Sequence, residues 1–294
     1  MNDSLRVLAH AKLNLSLRVL AREESGFHQI ETLFCLLELA DEIEVDRAGG
    51  DISLTVLPPP EDAGRVPDLG PVADNLARRA ADAFFREAAL PRQAAIRLTK
   101  RIPAGAGLGG GSSDAAAVLT ALNQLHDEPL SMERLMELAG TLGSDVPFFV
   151  AGARLALAWG RGTRVAPLPP LPSRAVLLAV PGTAVNTAAA YARLADARGA
   201  GQVAPPALVR AAGDWDVVTA GAVNDFEDVV FRIHPELQQL RDAMAGAGAF
   251  LARMTGSGSV IFGVFEDVRT AEAAQETLAA AFSDCRWVLS RTLE

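Results

Sequence analysis

The segment PAGAGLGGGSSD, from Pro103 to Asp114, carries five glycines in the seven residues 105–111, followed by two hydroxyl side chains and an acid. Backbone without side chains lets an anion approach the peptide N–H groups closely, and the start of a following helix adds free N–H groups and a favourable dipole. Such a loop suits a phosphate. Ser112 and Ser113 could add hydroxyl contacts to the anion or to a metal, or one of them, or Asp114, could cap the helix. The pattern is not a Walker A loop, because GxxxxGK[ST] needs a lysine where Gly111 stands before Ser112. Gly105, Gly107 and Gly110 do satisfy GxGxxG, a weak signal alone. The residues ahead of the loop, Ala95–Leu98, alternate as a half-exposed antiparallel strand does, unlike the buried parallel strand of a dinucleotide-binding unit.

A second chemical signal is scarcity. Of 27 basic residues only Lys12 and Lys100 are lysine, so arginine serves everywhere else. An ammonium is a compact point charge and a guanidinium a rigid, wider fork, which marks these two positions as candidates for a function that arginine cannot fill. From Leu5 to Val19 apolar residues occupy the odd positions, so the stretch reads as β structure, bent or hairpinned, with Lys12 and Asn14 sharing one face.

Composition narrows the partners. A net charge of −9 leaves no extended basic field for nucleic acid or a membrane surface, so an anionic ligand must be held by local devices. Cys35 and Cys285 form no CxxC pair and have no histidine at metal-ligand spacing, which argues against a disulfide framework or zinc site and for a reduced, cytoplasmic setting. No window approaches about 18 uncharged apolar residues, and MNDSLRVLAHAKLN lacks a signal-type apolar core.

The elements that must position these residues follow from pattern. β regions are expected around Gln29–Val45 and Asp51–Leu57, a helix over Asn75–Ala89, a helix over Ala115–Leu125, and a helix capped by Ser131 that runs to about Leu142. A strand pair is expected through FFVAG and ARLALAW after the turn GSDVP. Four prolines in TRVAPLPPLPS mark a boundary, giving domains over 1–162 and 163–294. The second half reads as a strand at 174–180, helices near 187–197, 207–220 and 235–246, strands at 249–254 and 259–265 around the turn GSGS, a helix at 268–282 and a strand at 286–292. Antiparallel strands flanked by helices suggest a split βαβ, ferredoxin-like layer.

PAGAGLGGGSSDAA, at 103–116, resembles the central PxxxGLGxSSA-like motif of the GHMP kinases. AKLNLSL at 11–17, GFHQIETLF at 26–34, GLGGGSSDAAAVLTALN at 107–123, LGSDVPFF at 142–149, NDFE at 224–227 and MTGSGSVIF at 254–262 extend the resemblance over nearly the whole chain in family order. Within that superfamily they are most similar to the kinases acting on a cytidine diphosphate-linked methylerythritol. The resemblance implies an α+β fold of two domains, an N-terminal one like ribosomal protein S5 domain 2 and a ferredoxin-like C-terminal one, working as a monomer or weak homodimer. It also implies transfer of the γ-phosphoryl of ATP, with Mg2+, to the tertiary 2-hydroxyl of that substrate.

Roles carry over by position. Asp145 in GSDVP matches the family's catalytic aspartate, which accepts the hydroxyl proton, although an acid there could instead cap the turn before Pro147. Lys12 matches the active-site lysine that lies next to that aspartate and stabilises charge on the transferring group, with Asn14 orienting substrate. ATP falls to Pro103, Ala104, Gly105, Ala106, Gly107, Leu108, Gly109, Gly110, Gly111, Ser112 and Ser113, with Lys100 and Asn75 near the nucleotide. Lys100 could instead be a surface cation and Asn75 a helix N-cap. At the cytidine end, Phe27 stands where the family has tyrosine and would stack on the base, His28 would bond its edge, and Tyr191, with Thr187 one turn earlier, falls where a second stacking aromatic is placed. TGSGS at 255–259 matches the third motif, which closes over phosphates or supports the glycine loop. Protein ligands of the metal are not assigned.

Overall fold

A computed structural model describes residues 3–47, 50–59, 69–198 and 213–294. Two long strands open the chain, β1 (Ser4–Arg22) and β2 (His28–Asp46), which pair with each other. β1 is one continuous strand rather than a hairpin, and its centre from Ala11 to Leu17 is buried on both faces, so its polar residues are enclosed. The chain groups into two compact units: the first holds the chain up to Ala11, Leu39–Ala104 and Gly109–Ala153, the second Lys12–Glu38, Gly105–Leu108 and Arg154–Glu294. β1, β2 and the glycine loop therefore each run from one unit into the other, and the units do not correspond to a single cut of the chain.

In the first unit the C-terminal part of β2 pairs antiparallel with β4 (Ala95–Thr99), and β3 (Ser53–Leu57) lies parallel beside β4. Among the described residues four α-helices complete it: α1 (Leu76–Glu87), α2 (Gly110–Leu125), α3 (Met132–Leu142) and α4 (Val146–Val150). Phe84, Phe85, Leu98, Val118, Leu122 and Ile43 sit in its core and are essentially inaccessible. The β3–α1–β4 crossover is parallel, but the glycine loop follows β4, and the next strand, β5 (Leu155–Gly160), pairs antiparallel with β2. The dinucleotide-binding arrangement does not form.

The strand expected through FFVAG is instead α4. Pro147 has no N–H to donate and its fixed φ suits the first turn of a helix, while Val146, Phe148 and Val150 are buried; five apolar residues are too few for periodicity to separate the two states. TRVAPLPPLPS is likewise not all connector, since β6 (Arg164–Leu168) pairs with β5 and places Pro167 opposite Ala156. A proline is tolerated where a strand has a neighbour on one side only.

The second unit carries β5, β6 and a four-stranded sheet in the order β10-β7-β9-β8, from β7 (Ala175–Val180), β8 (Leu251–Met254), β9 (Ile261–Phe265) and β10 (Arg286–Arg291). Numbered within that unit's last four strands the order is 4-1-3-2, all antiparallel, with helices between: the ferredoxin-like layer. Its helices are α5 (Thr187–Arg198), α6 (Trp215–Gly221), α7 (Glu227–Phe231), α8 (Pro235–Gly246) and α9 (Val268–Ala281). The helix expected over 207–220 is described only from 213 onward, its earlier part lying outside the described residues, and α7 was not foreseen.

Candidate active site

In the first unit α2 begins inside the glycine run, earlier than expected. Gly109 stands at the N-cap with φ 72°, so neither serine nor Asp114 caps the helix, and Gly110–Ser113 form its first turn. A Cβ on Gly110 would lie 3.0 Å from Ile102 Cγ2 and 3.2 Å from Lys100 Nζ. The ammonium thus sits directly behind the helix start. Asn75 takes the capping alternative: its side chain accepts from Ala77 N at 2.9 Å and starts α1, whose Leu76 lies 3.6 Å from where a Gly111 Cβ would be. Ser112 Oγ lies 3.9 Å from the corresponding point on Gly143, so the loop leading to Asp145 flanks the same helix start. Asp145 occupies the N-cap position of α4 but makes no side-chain capping bond, which leaves the turn-capping role unsupported.

Lys100 is not a surface cation. It is 6% exposed and donates to Asp41 Oδ2 and to Asp114 Oδ2 (2.9 Å), while Asp41 Oδ1 accepts from Arg101 N (2.5 Å) and Ile102 N (2.9 Å). One ammonium shared by two buried carboxylates ties β2, the end of β4 and α2 together. Burial pulls the ammonium toward neutrality, yet Asp114 and Asp41 outweigh it and raise its pKa. Asp114 is pushed up to about 7, chiefly by burial, with Lys100 opposing and Asp41 adding. A carboxyl raised from 3.8 contributes stability that is complete below about pH 4 and is lost as pH rises through about 7. The urea midpoint should therefore fall between pH 5 and 8 by more in the parent protein than in Asp114→Asn; parallel pH profiles would remove Asp114 as the linked group.

The second unit holds the other lysine. Lys12 is 3% exposed, donates to Asn14 Oδ1 at 2.5 Å and sits 5.1 Å above the Phe34 ring centroid, while its own N–H bonds Leu108 O in the glycine loop at 2.9 Å. The shared face expected for Lys12 and Asn14 is present, but Asn14 is largely committed within the protein. Its Oδ1 also accepts from Gly256 N (3.0 Å), its Nδ2 donates to Thr32 Oγ1 (2.8 Å), and its N–H bonds Thr255 Oγ1 (3.1 Å). Asn14 orients Lys12. The Thr255 hydroxyl lies 3.2 Å from Gly107 O, and a Cβ on Gly107 would meet Thr255 O at 2.4 Å, so TGSGS supports the glycine loop through backbone contact only glycine permits. Ala106 and Leu108 turn inward while Ala104 and Gly105 are exposed and Pro103 is half-buried.

Thr32, Asn224 and Glu227 carry no role in the sequence pattern. Asn224 Nδ2 donates to Met254 O (2.7 Å) and Gly256 O (2.9 Å), and Glu227 Oε1 accepts from Met254 N (2.8 Å), so NDFE pins the turn that touches Asn14. Burial raises the Glu227 carboxyl.

Phe27 is 56% exposed, at the end of the β1–β2 turn. His28 stacks on Tyr191 with ring centroids 4.3 Å apart, and Tyr191 meets buried Phe226 edge-on, so that face of Tyr191 is already covered. His28 Nε2 is buried with no hydrogen-bond partner among the described residues, and burial, with Arg22 nearby, lowers the ring's pKa. An unpaired buried ring nitrogen in its neutral form suits a ligand that hydrogen-bonds it. Thr187, exposed at the start of α5, exchanges a hydrogen bond with Ser257 of the TGSGS turn at 2.8 Å. Among the described residues no group of three or more His, Cys, Asp or Glu could hold a metal by itself, and no helix is long and apolar enough to cross a membrane.

Known proteins are similar to this chain. The family model for the GHMP kinases N terminal domain matches residues 75–153, and that for the GHMP kinases C terminal matches 207–284. A 4-diphosphocytidyl-2-C-methyl-D-erythritol kinase of Solibacter usitatus is 42% identical over 265 residues, covering 88% of this chain and 80% of its own. One from Pelotomaculum thermopropionicum is 40% identical over 270 residues, covering 91% of each. A crystal structure of a 4-(cytidine 5'-diphospho)-2C-methyl-D-erythritol kinase superposes with TM-score 0.81 at 36% identity, covering 99% of this chain and all of that one. With the glycine loop, the buried lysine and the ferredoxin-like layer in place, the chain belongs to the GHMP kinases and, within them, to the 4-diphosphocytidyl-2-C-methyl-D-erythritol kinase family.

Proposed function

We propose that the protein transfers the γ-phosphoryl of ATP to the 2-hydroxyl of 4-diphosphocytidyl-2-C-methyl-D-erythritol, giving the 2-phosphate and ADP. The observation that carries the reading is the first unit's juxtaposition of a glycine-built helix start with the loop that carries Asp145 into α4. Phosphoryl transfer asks mainly for positioned charge and an oriented hydroxyl. Gly105–Ser113 supply N–H groups and hydroxyls for the phosphates, Lys100, charge-balanced by Asp41 and Asp114, braces the helix start from behind, and Asp145 takes the proton of the attacking hydroxyl. Lys12, fixed by Asn14, stabilises the charge that develops on the transferring group. Phe27 and His28 take the cytosine, the first by stacking and the second through its unpartnered Nε2, with Tyr191 and Thr187 supporting that end.

Mg2+ is part of this proposal. The Ser112 hydroxyl and the Asp145 carboxylate are hard oxygen donors of the kind magnesium takes, and the lack of a larger cluster among the described residues suits an ion held mostly by nucleotide phosphates. When bound, the ion would neutralise charge on the β- and γ-phosphates. A soluble, cytoplasmic enzyme working as a monomer or weak dimer is the setting we propose. ATP consumption should be seen with the cytidine substrate and not with homoserine or phosphomevalonate; turnover confined to the latter two would assign the chain to another branch of the superfamily.

A further inference from the structure

Arg161 lies in the turn between β5 and β6, and the β2–β5 register, with Ile30 opposite Gly160, brings that turn beside the one between β1 and β2. Its guanidinium carbon stands 4.3 Å from the Phe27 ring centroid. Nε donates to Glu23 Oε2 at 3.0 Å, and Nη2 donates to the same oxygen and to Ser25 Oγ at 3.2 Å. Glu23 in turn closes the turn that carries Phe27, its N–H bonding Phe27 O at 2.7 Å and its carbonyl accepting from Gly26 N at 2.9 Å. Ser25 Oγ completes the set by donating to Glu23 Oε2 at 2.9 Å.

Phe27 therefore has one face under a guanidinium that a carboxylate holds in place, and it remains more than half exposed. We propose that Arg161 is a positioning residue for the cytosine end of the substrate: with Glu23 it fixes Phe27 in the orientation that receives the pyrimidine ring. This rests on the reading of Phe27 as the stacking aromatic. Two physical effects act together. The planar guanidinium stacks on the ring where an ammonium could not, and the turn is ordered before the ligand arrives, which removes an ordering cost from binding. The interaction also stands in for the hydroxyl that Phe27 lacks, since a phenyl ring has no polar handle to fix its own tilt.

The test is steady-state kinetics on the full chain with ATP and the cytidine substrate, for Arg161→Ala, Arg161→Lys, Phe27→Ala and Arg161→Ala/Phe27→Ala. Arg161→Ala should raise KM for the cytidine substrate about three- to tenfold, leaving kcat, KM for ATP and thermal midpoint unchanged. Arg161→Lys should recover little, and Arg161→Ala should add nothing in the Phe27→Ala background. Unchanged KM in Arg161→Ala, alongside raised KM in Phe27→Ala, would overturn the role of Arg161 and leave the base-stacking reading intact. An Arg161→Ala effect that persists undiminished without Phe27 would overturn it too, by showing that Arg161 acts on the ligand directly. Unchanged KM in Phe27→Ala would remove both.

Discussion

Replacing Asp145 by asparagine should lower kcat about 10²–10⁴-fold, the range for loss of a positioned general base, with both KM values within a few-fold of the parent. The isosteric amide keeps the shape of the α4 entry but cannot take the proton of the hydroxyl. Folding should be unaffected, because the amide keeps the size of the carboxylate and the turn is held by Pro147 and by the buried Val146 and Phe148. Turnover close to the parent's would take Asp145 out of the chemistry. A fall in thermal midpoint matching the fall in activity would reassign it to structure.

Lys12→Ala should cost about 10²–10³ in kcat, as removal of a charge-stabilising donor does, and Lys12→Arg should fail to restore it. Space decides the second outcome. The Lys12 ammonium is enclosed between Asn14 Oδ1 and the Phe34 ring in a residue 3% exposed, and a guanidinium is a wider, planar group that this enclosure does not fit. A guanidinium at this position would have to displace Asn14, whose oxygen also holds Gly256 N. Full activity in Lys12→Arg would refute the argument that lysine persists here because arginine cannot replace it. Urea midpoints of the two variants separate loss of charge from loss of packing.

Much of the site was legible from local pattern, because its parts are local devices. The glycine run, the Ser131 cap and the alternation of β1 depend on near neighbours in sequence, and the structure contains the loop, the capped helix and the strand. The scarcity of lysine led to two buried ammoniums. What escaped notice depends on contacts distant in sequence. Asp41 is one of several acids in β2, and only the approach of β4 and α2 makes it the partner of Lys100. Thr255 bonds Asn14 across 241 residues, and Asn224 holds the turn beside it from 30 to 32 residues away. FFVAG misled because β-prone residues in a run of five carry no period, and the decisive feature was Pro147 at the helix start.

The bond that the protein makes defines its activity. Phosphorus NMR of a reaction containing ATP, Mg2+, the protein and 4-diphosphocytidyl-2-C-methyl-D-erythritol should show one new phosphomonoester on the tertiary 2-carbon oxygen for each ADP formed, with the diphosphate resonances intact. ADP accompanied only by free phosphate, or a monoester on another hydroxyl, would contradict it.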